Sequence, residues 1–306
     1  MQLITGGLGF IGSHTARALL DLDEDCVVTQ HNATQVPDFL QPDVGARLLI
    51  EPLDVENASA LLALGNRHKI TGIVHLADPA THRLWNHAGS GSPERLDGLF
   101  DSLFHVLHAA REWGATRVTI ASTIGVYGGL APGRWSEDTA LPMLASHPIP
   151  TAKKCTGLLA ALLGDQIGIA TVQVRPSAIW GPGGRAQSSF FALPALVHAA
   201  IHGDTQSPSI SQPLYADDAT DACYVKDCAR GIALIQTAPD AHPPHLQHRL
   251  RAHDQQRTDR RRDQAHAPPT RRSSSPTAAI PTAPRSTRSS ISPRSTTTPV
   301  TSPPTT

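Results

Sequence analysis

Short apolar runs alternate with amphipathic segments from residue 1 to about residue 240. The apolar runs are short enough for buried strands, and six are predicted: Gln2–Thr5, Cys26–Thr29, Arg47–Glu51, Gly72–Leu76, Arg117–Ser122 and Ala170–Arg175. The amphipathic segments predict helices at Phe10–Leu20, Asn57–Leu64, Arg95–Trp113, Lys153–Leu163 and Lys226–Thr237. Alternation of this kind favours right-handed crossovers, so we predict an α/β fold with a doubly wound parallel sheet of the Rossmann type.

The periodic pattern stops after Pro239. Residues 241–306 are mostly Pro, Ser, Thr and Arg and contain no aromatic residue except His, so they cannot bury enough apolar surface to offset chain entropy. We therefore predict a folded domain at 1–240 and a disordered tail at 241–306. The formal net charge of zero conceals this division, because eleven of the 26 Lys and Arg residues but three of the 26 Asp and Glu residues lie in the tail.

The composition bears on the compartment of the protein, on metal binding and on membrane insertion. The four cysteines have no C-x-x-C spacing, which favours a reducing compartment, and we expect a cytoplasmic protein. The sixteen histidines form no zinc-type cluster, so no metal site is expected. The sequence has neither a signal-peptide pattern nor an apolar run of about 18 residues, so we expect neither export nor a membrane span.

The sequence T-G-G-L-G-F-I-G at 5–12 joins the end of the first predicted strand to the start of the first predicted helix, which is the arrangement of a dinucleotide site. Gly6 permits the tight turn, Gly9 lets the backbone approach a pyrophosphate, and Gly12 lets the helix pack closely on the strand. The first turn of the helix, with Phe10 and Ile11, offers free N–H groups and a partial positive charge to the phosphates.

Two further strand ends add candidate cofactor contacts. Asp54 and Val55 follow the third strand, where a carboxylate can accept a hydrogen bond from an adenine amino group. Leu76 and Ala77 end the fourth strand, where a small residue lets the backbone approach the cofactor. The carboxyl ends of parallel strands meet at one edge of the sheet, so we expect these residues to lie beside the glycine turn.

Three later motifs carry a family resemblance. They are S-T-I-G-V-Y-G at 122–128, R-P-S-A-I-W-G-P-G at 175–183 and Y-V-K-D-C-A-R at 224–230. With the glycine turn, and in this order, they resemble the extended short-chain dehydrogenase/reductases, specifically the NAD-dependent epimerase/dehydratase family. The resemblance covers residues 1 to about 240. It implies NAD-dependent epimerisation, dehydration or oxidoreduction of a nucleotide sugar or similar polyol by transient hydride transfer, and a homodimer formed through two helices.

The resemblance also implies a catalytic group of Ser or Thr, Tyr and Lys, in which the Tyr phenolate removes a hydroxyl proton. Thr123 falls on the hydroxyl position, and Lys153 or Lys154 falls on the lysine position. The tyrosine belongs four residues before the lysine, where the chain has Ile149 or Pro150. Neither of these side chains transfers a proton, so a non-catalytic dinucleotide-binding protein is the alternative interpretation.

Other positions depart from the family pattern as well. The second strand ends without the carboxylate that normally accepts from the adenosine ribose; Gln30 can bond a ribose hydroxyl and His31 can tolerate a 2′-phosphate, so NAD is expected and NADP is left open. Leu99 occupies the place of an Asn that usually faces the cofactor. Tyr127 belongs to the V-Y-G turn, and we expect it to pack there.

The amino-acid sequence of the tail suggests that it is translated in a shifted reading frame. Family members continue into Y-N-x-G-S-G, whereas residues 243–257 read P-P-H-L-Q-H-R-L-R-A-H-D-Q-Q-R. One nucleotide sequence can encode this segment in one reading frame and H-R-T-Y-N-T-G-S-G in the frame that starts one base further on. We therefore predict a frame change between about Ala238 and Pro243, which leaves the C-terminal substrate lobe incomplete. The competing interpretation, a nucleic-acid-binding arm with arginines at 260–262 and 271–272, is disfavoured because the segment lacks Lys and aromatic residues.

Overall fold

The computed structural model describes residues 1–33, 35–78, 94–131, 133–143, 145, 148–185, 192–203 and 219–239, with side chains of 94–96 excepted. The predicted disordered tail, 241–306, lies outside these described residues, as does the predicted frame-change segment after residue 239. Within them, no helix combines the length and the apolar character needed to cross a membrane.

Six parallel strands form the central sheet: β1 Gln2–Thr5, β2 Cys26–Gln30, β3 Leu48–Pro52, β4 Gly72–His75, β5 Arg117–Ala121 and β6 Ala170–Val174. Their order in the sheet is β3-β2-β1-β4-β5-β6. The flanking α-helices are α1 Phe10–Leu20, α2 Ala58–Leu64, α3 Glu94–Trp113 and α4 Pro148–Ile167, and short 3-10 helices cover Asp38–Asp43 and Ile124–Tyr127. A second, two-stranded parallel sheet pairs β7 Ala178–Trp180 with β8 Ala222–Tyr224, and α5 Leu193–His202 and α6 Val225–Thr237 complete the described elements.

The sheet is covered on both faces, which confirms the predicted doubly wound α/β fold. Leu3 pairs in register with Val27 and Ile73, and all three are fully buried against α2, α3 and α4. The next residue along β1, Ile4, pairs with Val28 and points to the opposite face, where α1 and α6 pack. Successive side chains of a strand alternate between faces, so each strand supplies both layers of the core.

The structure corrects the bounds of four of the five predicted helices: α3 and α6 each begin one residue earlier than predicted, and α4 ends at Ile167 rather than at Leu163. Helix α4 begins at Pro148 rather than at Lys153, because Pro148 and Pro150 occupy its first turn, where proline is tolerated. Helix α2 begins one residue after the predicted start, since Asn57 is its N-cap and accepts a hydrogen bond from Ala60 N at 3.0 Å. Strands β7 and β8 and helix α5 were not predicted.

The strand order reverses between β1 and β4. In doubly wound sheets such a reversal opens a crevice at the carboxyl ends of the strands, and ligands bind there. The glycine turn follows β1 and the segment Leu76-Ala77 follows β4. The fold therefore places the predicted cofactor residues on both sides of this crevice.

Candidate active site

The glycine turn is folded tightly against the end of β4. Gly6 has a φ of +67°, and a Cβ at this position would lie 3.0 Å from the backbone nitrogen of Ala77. A Cβ on Gly12 would overlap the carbonyl oxygen of Gly6. The turn is held by hydrogen bonds from Gly6 N to Thr29 Oγ1 and from Gly9 N to Gly6 O, both 2.9 Å long. The backbone geometry therefore requires glycine at Gly6 and Gly12, whereas Gly9 has a φ of −72° and a Cβ there would lie 3.0 Å from Gly6 O.

Helix α1 begins directly after this turn with its first amides uncapped by a side chain. Its N-cap is Gly9, which has no side chain to accept from the N–H groups of Phe10, Ile11 and Gly12, and the first turn contains no acidic residue. These N–H groups and the positive end of the helix dipole match the needs of a bound phosphate.

A buried hydrogen-bond network fixes the end of β4 beside the turn. Thr5 Oγ1 accepts from Ala77 N at 3.2 Å and lies 2.7 Å from Nδ1 of His75. Burial lowers the pKa of His75 to about 4, and the nearby Lys153 ammonium acts in the same direction. His75 is therefore a neutral, structural side chain that holds the backbone of Leu76 and Ala77 in place.

The ends of β2 and β3 meet at the other side of the crevice. Asp54 Oδ1 accepts from Glu56 N at 3.0 Å, and Asp54 Oδ2 lies 3.9 Å from His31 Nε2. Gln30, the last residue of β2, is half-buried, whereas the Val55 side chain is buried. The structure thus brings the predicted adenosine contacts together, with a carboxylate next to the histidine.

The two candidate lysines of α4 point to different places. Lys153 is buried, and its Nζ donates to Ala121 O at 2.9 Å and forms an ion pair with Asp78 Oδ2 at 2.8 Å. Lys154 Nζ instead donates to Pro142 O in a loop. Lys153 therefore lies at the carboxyl ends of β4 and β5, next to the crevice. Sequence reasoning missed Asp78, although a carboxylate one residue after Leu76-Ala77 could have indicated it.

Thr123 lies at the carboxyl end of β5, where it is the N-cap of the short helix Ile124–Tyr127. Its Oγ1 accepts from Gly125 N at 3.1 Å, which leaves the hydroxyl hydrogen to be donated to another acceptor. The hydroxyls of Ser122 and Ser177 are buried near the same edge and have no hydrogen-bond partner within the part of the chain that the structure describes. This edge therefore has polar groups suited to a hydroxyl-bearing ligand.

The position expected for the catalytic tyrosine is apolar. Ile149 is buried in the first turn of α4, and Leu99 of α3 packs against the same helix. Tyr127 is 1% exposed; it donates to Ser136 O at 2.9 Å and accepts from the guanidinium of Arg175. Tyr127 thus packs in its own turn, as expected, and its hydroxyl is occupied.

The described groups follow one line along the carboxyl edge of the sheet. The Asp54 carboxylate lies after β3, uncapped amides lie after β1, and the Lys153 ammonium lies at the ends of β4 and β5. An extended ligand with a central pyrophosphate fits this order, because the glycines keep the centre free of side chains. The geometry is that of a dinucleotide site.

Comparison with known proteins agrees with this geometry. A sequence profile of the NAD dependent epimerase/dehydratase family matches residues 2–247. An uncharacterized UDP-glucose epimerase of Bacillus subtilis strain 168 is 28% identical over 250 residues, which is 78% of this chain and 72% of that protein. A UDP-N-acetyl-alpha-D-glucosaminuronate decarboxylase of Bacillus cytotoxicus is 30% identical over 66% of this chain and 61% of its own length.

Among solved structures, the dTDP-glucose 4,6-dehydratase DesIV of Streptomyces venezuelae with NAD bound has a TM-score of 0.60 at 27% identity, covering 76% of this chain and 71% of that one. The UDP-glucose 4-epimerase of Thermus thermophilus in complex with NAD has a TM-score of 0.62 at 23% identity, covering 78% of this chain and 75% of that one, and shows the fold alone. The chain therefore belongs to the NAD-dependent epimerase/dehydratase family.

Proposed function

We propose that the protein uses NAD to epimerise, dehydrate or oxidoreduce a nucleotide sugar or similar polyol through transient hydride transfer. The observation that carries the proposal is the buried Lys153 ammonium at the ends of β4 and β5, on the edge where the glycine turn opens. Family membership and the sugar nucleotides in the names of the relatives support this reading.

Seven positions on the carboxyl edge would hold the pyrophosphate and the nicotinamide half. The amides of the first turn of α1, with Gly9, Phe10, Ile11 and Gly12, would bind the pyrophosphate, and Gly6 keeps the turn tight. The backbone at Leu76 and Ala77 would line the nicotinamide side. When bound, the cofactor accepts and returns a hydride.

The adenosine half would lie over the ends of β2 and β3. Asp54 and Val55 would contact the adenine, and Gln30 would bond the ribose. The carboxylate of Asp54 lies 3.9 Å from His31. At this place its negative charge would repel the 2′-phosphate of NADP. This arrangement supports NAD over NADP.

The side chains at the other end would act on ribose and substrate. Lys153 would donate to the ribose of the nicotinamide half, and Thr123 would donate its hydroxyl hydrogen to the reacting hydroxyl of the substrate. Lys154, one of the two candidate lysines, would have no part in this because its Nζ binds the Pro142 carbonyl.

Single-turnover mixing with UDP-glucose and with dTDP-glucose tests the proposed function. The NAD-loaded protein should develop the near-ultraviolet absorbance of NADH with one of these sugar nucleotides. The Lys153→Met variant should lose about 100-fold in rate or more, whereas Lys154→Met should retain the rate. Equal rates in both lysine variants would contradict the assignment of Lys153.

We further propose a homodimer formed through α3 and α4. These helices pack against each other, and they expose Phe104, Leu158 and Leu162 to solvent. Leu158 and Leu162 are four residues apart and therefore share one face of α4. Light scattering after size exclusion should give a dimer for the protein and a monomer for Leu158→Glu combined with Leu162→Glu; a monomeric parent protein would contradict this proposal.

We also propose the cytoplasm as the compartment of the protein. All four cysteines are free thiols, and Cys26, Cys223 and Cys228 are buried. Reduced cysteines are typical of the cytoplasm, whereas disulfides are typical of secreted proteins. Fractionation of cells that express the tagged chain tests this, and recovery of the protein in the medium would contradict it.

A further inference from the structure

Asp78 and Lys153 form a charged pair next to the crevice. Asp78 Oδ2 lies 2.8 Å from Lys153 Nζ, and the side chains are 20% and 8% exposed. Lys153 also donates to Ala121 O at 2.9 Å, so the pair is fixed at the carboxyl ends of β4 and β5. A buried ion pair pays a desolvation penalty that an apolar pair of similar volume would avoid. Stability of the fold is therefore a weak reason for a carboxylate at this place.

Among the residues that the structure describes, three other candidates near this edge are unsuited to accept a proton. Ile149 has no titratable group. Tyr127 is buried, with its hydroxyl between Ser136 O and Arg175. His75 is fully buried behind the backbone and is bonded to Thr5. Asp78, in contrast, carries a carboxylate and keeps part of its side chain accessible.

We propose that Asp78 is the catalytic proton acceptor of this protein, so that a carboxylate–ammonium couple of Asp78 and Lys153 takes the place of a tyrosine–lysine couple. The proposal rests on the proposed function. In the step, the O–H bond of the substrate alcohol breaks and its proton passes to the Asp78 carboxylate, which becomes a carboxylic acid. The C–H bond of the same carbon breaks, its hydride reduces the oxidised nicotinamide, and a C=O bond forms.

The charges in the crevice support this assignment. The positive charge of the oxidised nicotinamide and the negative charge of Asp78 disappear in the same step. Lys153 keeps its charge and its bond to Ala121 O. The total charge of the crevice is therefore unchanged, and no net charge has to be created in a poorly solvated place. The same reasoning predicts that Asp78 favours binding of NAD+ over NADH.

The test compares Asp78→Asn, which keeps the shape and removes the charge, with Asp78→Glu, which keeps the charge. Asp165→Asn is the matched control, because Asp165 is an exposed carboxylate of α4. With UDP-glucose as the probe, the rate of NADH formation should fall about 100-fold or more in Asp78→Asn, recover in part in Asp78→Glu and stay unchanged in Asp165→Asn.

A second readout needs no turnover. Calorimetric titration with NAD+ and NADH should show the preference for NAD+ falling about tenfold in Asp78→Asn and unchanged in Asp165→Asn. If Asp78→Asn matches the parent protein in this ratio, the inference is overturned. If the parent protein binds neither NAD+ nor NADH, the proposed function itself fails, and the inference with it. If Asp78→Asn does not fold, a parental NAD+/NADH preference together with at least a partly retained rate in Asp78→Glu supports the need for a carboxylate, and loss of either one overturns it.

Discussion

Gly12 shows how the absence of one side chain creates the cofactor site. A Cβ at this position would overlap the carbonyl oxygen of Gly6, so the turn has to open to admit it. For Gly12→Ala we expect NAD+ binding to weaken about tenfold or more, together with about 1–3 kcal/mol of destabilisation from overpacking. Calorimetric titration measures the first effect and urea unfolding the second. Gly133→Ala is the control, because a Cβ there meets no atom closer than 3.9 Å. Parental NAD+ affinity in Gly12→Ala would contradict this account of the turn.

His75 makes the stability of the domain depend on pH. Burial, aided by Lys153, lowers its pKa from 6.5 to about 4, so between these values the unfolded state binds a proton that the folded state does not. Stability contributed by neutral His75 is complete above pH 6.5 and is lost as the pH falls toward 4. Across this pH window, His75 should lower the free energy of unfolding by about 3 kcal/mol. Urea unfolding should show this additional decrease in the parent protein and not in His75→Asn. The same pH dependence in both proteins would contradict the prediction.

At the scale of elements, Arg117 of β5 anchors the last described helix. Its Nη1 donates to the carbonyls of Ile235, Gln236 and Ala238 at 2.8, 3.0 and 2.7 Å, which satisfies the C-terminal end of α6. We expect Arg117→Met to cost about 2–4 kcal/mol of unfolding free energy, measured by urea denaturation. The exposed Arg111→Met should change it by less than about 0.5 kcal/mol. Equal stabilities of the two variants would show that Arg117 is not the anchor.

The elements with a clear hydrophobic period could be predicted from the sequence. Helix α1 and strand β1 were found with the bounds that the structure has, because alternation and helical spacing reflect which face each residue buries. The start of α4 could not be found this way. Pro148 and Pro150 suggest a break, yet both fit the first turn of a helix. Strands β7 and β8 have three residues each, which is too short for a period to show.

The site could be predicted only in part. The glycine positions follow from local backbone geometry, which the sequence displays directly. The choice between Lys153 and Lys154 depends on which face of α4 turns toward β5, and adjacent residues of a helix point in different directions. Asp78 gained its importance from a partner 75 positions away in the chain, which no local pattern reveals.

At the scale of the whole molecule, the groups that we assign to the cofactor lie in residues 6–153, well before the tail. We maintain the proposal that the reading frame changes between about Ala238 and Pro243 and that the substrate lobe is incomplete. Resequencing the gene across the codons for 236–257 should reveal a one-base difference that restores Y-N-T-G-S-G. An unchanged frame would contradict this proposal and leave the tail as a genuine product.

Binding of NAD+ to the full chain tests the central claim most directly. Calorimetric titration should show one dinucleotide site, and NAD+ at about 100 times its dissociation constant should stabilise the fold by about 2.7 kcal/mol, seen as a higher melting temperature. ADP should bind as well but more weakly, since it carries only the adenosine and pyrophosphate half of the ligand. If neither NAD+ nor NADP+ releases heat or raises the melting temperature at millimolar concentration, the glycine turn is not a dinucleotide site and the account fails.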